Sequence, residues 1–204
     1  MVADPDSTEG SPRLADIDGD GTDDEVGLHL DFEAPTGCQA FLAVEAGGRR
    51  TVEPIWLVGA AGGLPQPSLY SFSDLDGRQG YEIVVNEASG ASTQFAAAYG
   101  WQNGDLVPIV LPDTENGLFA FGGSVGHIEA ADCSPEADIV VSRAVPAAGR
   151  DALRNNRYQV RRTIYSFVEG GLKKETAELT EIPLEELDQF PEFRLGLFGT
   201  CGGP

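Results

Sequence analysis

Apolar side chains recur at every second position in short runs along this chain. Val26, Leu28, Leu30 and Phe32 alternate with Glu25, Gly27, His29 and Asp31, the period of a half-buried strand and not of a helix. The runs are separated by Gly, Asn, Asp and Pro, and the chain holds 26 Gly and 13 Pro in 204 residues. No amphipathic helical stretch longer than about three turns stands out. This spacing predicts an all-β sandwich, barrel or propeller. In the middle of the chain it predicts strands over Ser68–Ser73, 82–87, Thr93–Gln102 and 105–111. Asn103-Gly104 between the last two is a strong hairpin signal.

The same order of strands repeats. Phe167-Val168-Glu169-Gly170-Gly171-Leu172 matches Trp101-Gln102-Asn103-Gly104-Asp105-Leu106, after an insertion over 146–156 that reads as an exposed loop. Phe41-Leu42-Ala43-Val44, Gly47-Gly48 and 51–58 play these parts earlier in the chain. The repeats fall at 11–62, 63–115 and 116–182, four strands each, within one domain. A C-terminal latch segment follows over 183–204, with one or two helical turns near 185–190 ended by Pro191. Residues 1–10 are expected to be disordered.

An acidic turn marks each repeat. Asp16-Ile17-Asp18-Gly19-Asp20-Gly21-Thr22-Asp23-Asp24 leads into the first alternating strand. Asp74-Leu75-Asp76-Gly77 leads to Glu82, and Asp132-Cys133-Ser134-Pro135 to Asp138, with an interval of 58 residues each time. A fixed period means stacked or radially arranged copies of one supersecondary unit. Oxygens at positions 1, 3, 5 and 9 of a tight loop suit Ca²⁺, which takes six to eight oxygens at roughly 2.3–2.6 Å. The loop is not an EF-hand: position 12 is Gly27 where that motif needs a bidentate Glu, and strands replace the flanking helices. The alternative to a metal is an Asx-rich turn that holds itself together. Against it stands the mutual repulsion of five neighbouring carboxylates.

Charge excludes one class of partner. The formal net charge is −20, and nucleic-acid binding needs clustered Lys and Arg. Residues before 34 carry one base, Arg13, whereas 143–174 hold Arg143, Arg150, Arg154, Arg157, Arg161, Arg162, Lys173 and Lys174. That asymmetry would steer a partner or a neighbouring subunit; the plainer reading is a solvated strand face. No membrane-inserting run and no signal peptide is present, so the chain reads as a mature secreted or cell-surface domain whose export signal is gone. Three cysteines cannot all pair within one chain. Cys133 occupies the apolar slot of Ile17 and Leu75, and a Cys133–Cys201 bridge would pin the tail to the third repeat. Cys38 would then be left as a buried thiol or an intermolecular partner.

These residues carry a resemblance. The Asp-x-Asp-Gly-Asp-Gly loop, the acid and β-branched strand after it, and its recurrence resemble FG-GAP/VCBS-type repeats. Those repeats are the blades of integrin α-subunit head propellers and of many secreted bacterial proteins. The likeness covers about 170 residues, with the full motif in the first copy only. It implies four-stranded β-propeller blades with Ca²⁺ between the first two strands of a blade, held by Asp16, Asp18, Asp20 and Asp24 side chains and the Thr22 carbonyl. In the second copy Arg78 takes position 5, and its guanidinium is expected to stand in for the cation beside Asp74, Asp76 and Glu82. The third copy, with Asp132, Ser134, Glu136 and Asp138 and a stiffening Pro135, reads as a vestige. Propellers typically have four to eight blades. A closed three-bladed monomer is the favoured expectation, with a subunit that pairs with copies of itself and a tail that adds strands as the alternatives.

Catalytic patterns are weak. Gly122-Gly123-Ser124-Val125-Gly126 matches G-x-S-x-G, but that motif works on a strand-to-helix elbow, and here the residues run into another strand. His29 and His127 lack zinc spacing, and the cysteines form no C-x-x-C. Trp56, Tyr70, Tyr99, Trp101, Tyr165 and Phe167 sit at strand positions, most of them as blade core; Trp101 beside the hairpin tip is a candidate for recognition, with core the favoured reading. The expectation is therefore a non-enzymatic binding module stabilised by calcium, recognising a protein or, second, a carbohydrate, with no catalytic residues. The alternatives are an extracellular hydrolase or lyase acting on polysaccharide and a homo-oligomer that completes a larger propeller.

Overall fold

Two antiparallel sheets account for all the named strands. The computed structural model describes residues 11–30, 40–55, 67–124, 126–136, 138–147, 156–169 and 171–204. The first sheet has the order β1 (Arg13–Ala15), β2 (Asp24–Leu30), β3 (Ala40–Ala46), β4 (Arg49–Pro54). The second has nine strands: β5 (Ser68–Ser73), β6 (Glu82–Ser89), β7 (Thr93–Gln102), β8 (Asp105–Ile109), β9 (Phe119–Ser124), β10 (His127–Cys133), β11 (Ile139–Pro146), β12 (Arg157–Val168) and β13 (Gly171–Pro183). Its order is β13-β12-β11-β10-β9-β7-β6-β5, with β8 paired to β7. Three four-stranded meanders are thus visible in the pairing: β1–β4, β5–β8 and β10–β13, called here the first, second and third units. Strand β9 joins two of them, pairing with the first half of β7 and with β10.

The local chemistry explains the turns. Asn103 and Gly104 both have positive φ, 55° and 88°, the backbone that a two-residue hairpin between right-twisted strands requires. Gly47 and Gly48 do the same between β3 and β4.

The alternation along the strands decides what each face meets. Strand β6 is buried on both faces because the second unit lies between the other two. Ile83, Val85, Ala97 and Tyr99 pack with Val26, Leu28, Leu42, Val44 and Ile55 of the first unit. Val84, Ala96 and Ala98 pack with Phe119, Ala131, Ile139 and Tyr165 toward the third. The remaining face of the third unit, with Ala144, Tyr158, Val160 and Ile182, is covered by Leu187, Phe190 and Phe193 of the tail. No core cluster joins the first unit to the third among the described residues. Trp101 is half-buried against the first cluster. Tyr70 is partly exposed and meets Phe121 edge-on. Cys38, Trp56, residues 1–10 and residues 148–155 of the insertion lie outside the described residues.

The tail departs from a simple helical turn. It forms two 3-10 turns, Leu184–Gln189 and Pro191–Phe193. Pro191 ends the first and opens the second, since a proline at a helix's first position lacks only a donor that would be unpaired there anyway. Glu192 is buried in the second turn, where it accepts from Ser142 Oγ at 2.6 Å and pairs with Arg162 Nε at 3.1 Å. Beyond it the chain returns to the inner strands. Phe198 N donates to Ala131 O (2.9 Å), Asp74 N donates to Gly202 O (2.6 Å), and a disulfide joins Cys133 to Cys201 across 68 residues.

Candidate metal centre

Each acidic loop follows the first strand of its unit, and the first two share one pattern of hydrogen bonds. Asp16 accepts from Gly19 N at Oδ1 (2.8 Å) and from Gly21 N at Oδ2 (3.0 Å). Asp74 accepts from Gly77 N at 2.8 Å. Asp18 accepts from Asp20 N (3.1 Å) and Asp76 from Arg78 N (2.9 Å). At the entry to the second strand, Asp24 accepts from Ile17 N (2.8 Å) and Asp18 N (3.2 Å), and Glu82 from Leu75 N (2.7 Å). These bonds curl the loop so that its carboxylates face one another. Gly19 and Gly21 have φ of 78° and 85°, a conformation open to glycine at little cost.

In the first loop, Asp16, Asp18 and Asp24 each offer an oxygen within 4.8 Å of the others'. Asp24 is 5 % exposed. Burial pushes its pKa up, with the charges of Asp18 and Asp20 adding and the two backbone donors opposing. No Lys, Arg or His pairs with this trio among the described residues. Three converging carboxylates, that of Asp24 on a buried residue, are a donor set that could hold a metal ion. Asp20 and Thr22 are exposed and stand outside the trio; Asp20 instead accepts from Thr22 N at 2.7 Å.

The second loop differs from expectation. Asp74, Asp76 and Glu82 converge as closely as the first trio, but Arg78 does not sit among them. Its side chain is 69 % exposed, and its guanidinium reaches Asp76 alone among the described residues, at 3.5 Å. The backbone N–H of Arg78 is committed to Asp76, so the side chain leaves the loop outward, where a charged head stays hydrated. Glu82 is buried in the loop's floor. Desolvation, with the charges of Asp76 and Asp74 adding, pushes its pKa up to about 7.

The third loop has another use. Asp132, at the position of Asp16 and Asp74, turns away from its own loop and accepts from Cys133 N (2.9 Å) and from Thr200 N of the tail (2.7 Å). Ser134 Oγ takes over the turn, accepting from Glu136 N and Asp138 N. No acidic trio forms there among the described residues.

Loops one and two are in direct contact. Tyr81 N donates to Asp16 O at 2.9 Å, and a Cβ on Gly80 would lie 2.5 Å from Ile17 O. A groove of about 350 Å³ runs between them, lined by Asp16, Asp20, Asp74, Arg78 and Tyr81.

The G-x-S-x-G stretch lies at the β9–β10 connection. Ser124 pairs with His127 across the two strands, Gly126 N donates to Ser124 Oγ, and His127 Nε2 lies 2.7 Å from Thr93 Oγ1. A strand follows where the hydrolase motif needs a helix. Glu87 is a buried acid that the sequence reading does not single out: it accepts from Tyr99 Oη at 2.8 Å, and burial pushes its pKa up to about 7. The signal was present, because Glu87 continues the odd-numbered face of Ile83 and Val85.

No family model matches the chain, and neither a curated protein nor a solved structure matches it. No helix among the described residues is long and apolar enough to cross a membrane. The disulfide points to a non-reducing environment.

Proposed function

We propose that the protein is an extracellular, non-enzymatic binding module of three propeller-like blades, stabilised by Ca²⁺ held in the first acidic loop. Asp16, Asp18 and Asp24 would hold the ion, with Asp20 and the Thr22 carbonyl as the remaining protein oxygens. The observation that carries this reading is the convergence of three carboxylates within 4.8 Å, with Asp24 buried and no basic side chain paired to them among the described residues. Bound calcium supplies charge neutralisation and cross-linking of the loop, and no chemistry. At a free concentration about a hundredfold above Kd it stabilises the fold by about 2.7 kcal/mol, a large share of a typical domain's roughly 5–15 kcal/mol. Titration calorimetry of chelator-treated protein with CaCl₂ is expected to give a saturable isotherm, and the melting temperature should fall in EDTA. Asp18→Ala should abolish both effects; identical melting curves with and without EDTA would remove the metal from the account.

The partner is a protein first and a carbohydrate second, a choice that rests on fold-level likeness. A second reading has its own observation in favour. The core clusters link the first unit to the second and the second to the third, and none links the first to the third among the described residues. A ring completed by further copies of the chain would use that open side of the first unit. Light scattering separates the two readings, with the single-chain mass expected for a monomer and a multiple of it for the assembly.

A further inference from the structure

The repeat position that organises the loop in the first two units is spent, in the third, on holding the C-terminal segment. Asp132 Oδ1 takes Thr200 N, Thr200 Oγ1 donates to Cys133 O at 2.8 Å, and the disulfide locks the next residue, Cys201. From there Gly202 O accepts from Asp74 N, so residues 197–202 bridge the inner ends of β10 and β5. Docking this segment has two visible costs. Asp132 is 2 % exposed, and its Oδ2 has no hydrogen-bond partner among the described residues, which leaves a carboxylate oxygen desolvated without return. Phe198 has a φ of 57°, a left-handed backbone that a bulky side chain rarely adopts. Holding it there are Phe119, edge-on at 5.1 Å, the Ala131 carbonyl, and the covalent bond three residues on.

We propose that residues 197–202 are a redox-released strap: with Cys133–Cys201 intact the strap closes the seam between the second and third units, and on reduction it leaves. A dithiol reductant performs the step. One of its thiolates attacks a sulfur of the bridge and breaks the S–S bond, forming a mixed disulfide; its second thiolate then displaces the protein sulfur. Two electrons and two protons pass to Cys133 and Cys201, leaving two thiols and a cyclic oxidised reductant. Without the bond, Asp132 regains water and Phe198 relaxes, so both costs favour the open state. Cys133 and Cys201 are partly exposed residues at the margin of the second core cluster.

Amide hydrogen exchange on the full chain tests this, in a Cys38→Ser background so that only one intramolecular bridge can form. In the oxidised protein the amides of Asp74, Phe198 and Thr200 should be protected. After dithiothreitol they should exchange roughly tenfold faster or more, while Ile83 and Val85 in the core keep their protection. Unchanged rates at the three strap amides would overturn the proposal. An equal loss throughout the core would also overturn it, since the disulfide would then act as a global staple. Asp132→Asn keeps an oxygen for Thr200 N and removes the buried charge. It should restore part of the strap's protection in reduced protein, and exchange as fast as in the reduced parent would refute the role given to Asp132.

Discussion

Glu87 puts a carboxyl group where the strand alternation demands an apolar residue, and among the described residues its hydrogen-bond partner is Tyr99. Burial raises its pKa from 4.5 to about 7, so the folded protein keeps a proton that the unfolded chain gives up. The stability from this group is full below pH 4.5, falls as pH climbs toward about 7, and is flat beyond. Glu87→Gln keeps an acceptor for Tyr99 and removes the titration. Its stability relative to the parent should therefore rise between pH 4.5 and 8, by roughly 2–3 kcal/mol. Glu82 shares the trend but lies in the acidic loop, and it is present in both proteins. Denaturant titrations at the two pH values provide the check; parallel behaviour of parent and variant would mean that Glu87 is hydrated.

Strands were the legible elements. The turn chemistry of Asn103-Gly104 and the alternation around it place β7 and β8 correctly, because a two-residue hairpin fixes register locally. Strand β9 was not anticipated, since Phe119–Ser124 borrows its pairing from β7 and β10, and no local period reveals a strand that bridges two units. The loop carboxylates were legible for the same local reason as the hairpins: side-chain oxygens bond amides two or three residues on. Arg78 meets Asp76 of the expected carboxylates and not the whole trio, because charge arithmetic along a sequence ignores the direction in which a side chain leaves its turn. The tail's turns were found, but what they cover was not. Glu192 shows why, as its partners Ser142 and Arg162 lie 50 and 30 residues away. Removing it leaves Arg162 partly buried and unpaired and Ser142 without its acceptor. Glu192→Ala should cost about 2–3 kcal/mol, somewhat below a fully buried ion pair because Arg162 keeps some solvent. Thermal unfolding of the variant measures this, and a loss below about 0.5 kcal/mol would place the tail turns among mere surface decoration.

At the scale of the whole molecule, a net charge of −20 makes any cation stabilising, so calcium dependence alone does not define a site. Two mechanisms have to be separated. Diffuse screening acts on the total charge and follows ionic strength: the Debye length falls from about 10 Å at 0.1 M to about 3 Å at 1 M. Occupancy of the first loop follows the free Ca²⁺ concentration and saturates near Kd. Raising NaCl should therefore lift the melting temperature of parent and Asp18→Ala alike. Adding millimolar CaCl₂ at a fixed high ionic strength should lift the parent again and leave Asp18→Ala where it was. MgCl₂ at the same strength should do less, because Mg²⁺ demands near-octahedral geometry and parts reluctantly with water. If calcium and magnesium move both proteins equally, the converging aspartates are a turn motif in a highly charged surface, and the stability of the first loop comes from its own amide bonds.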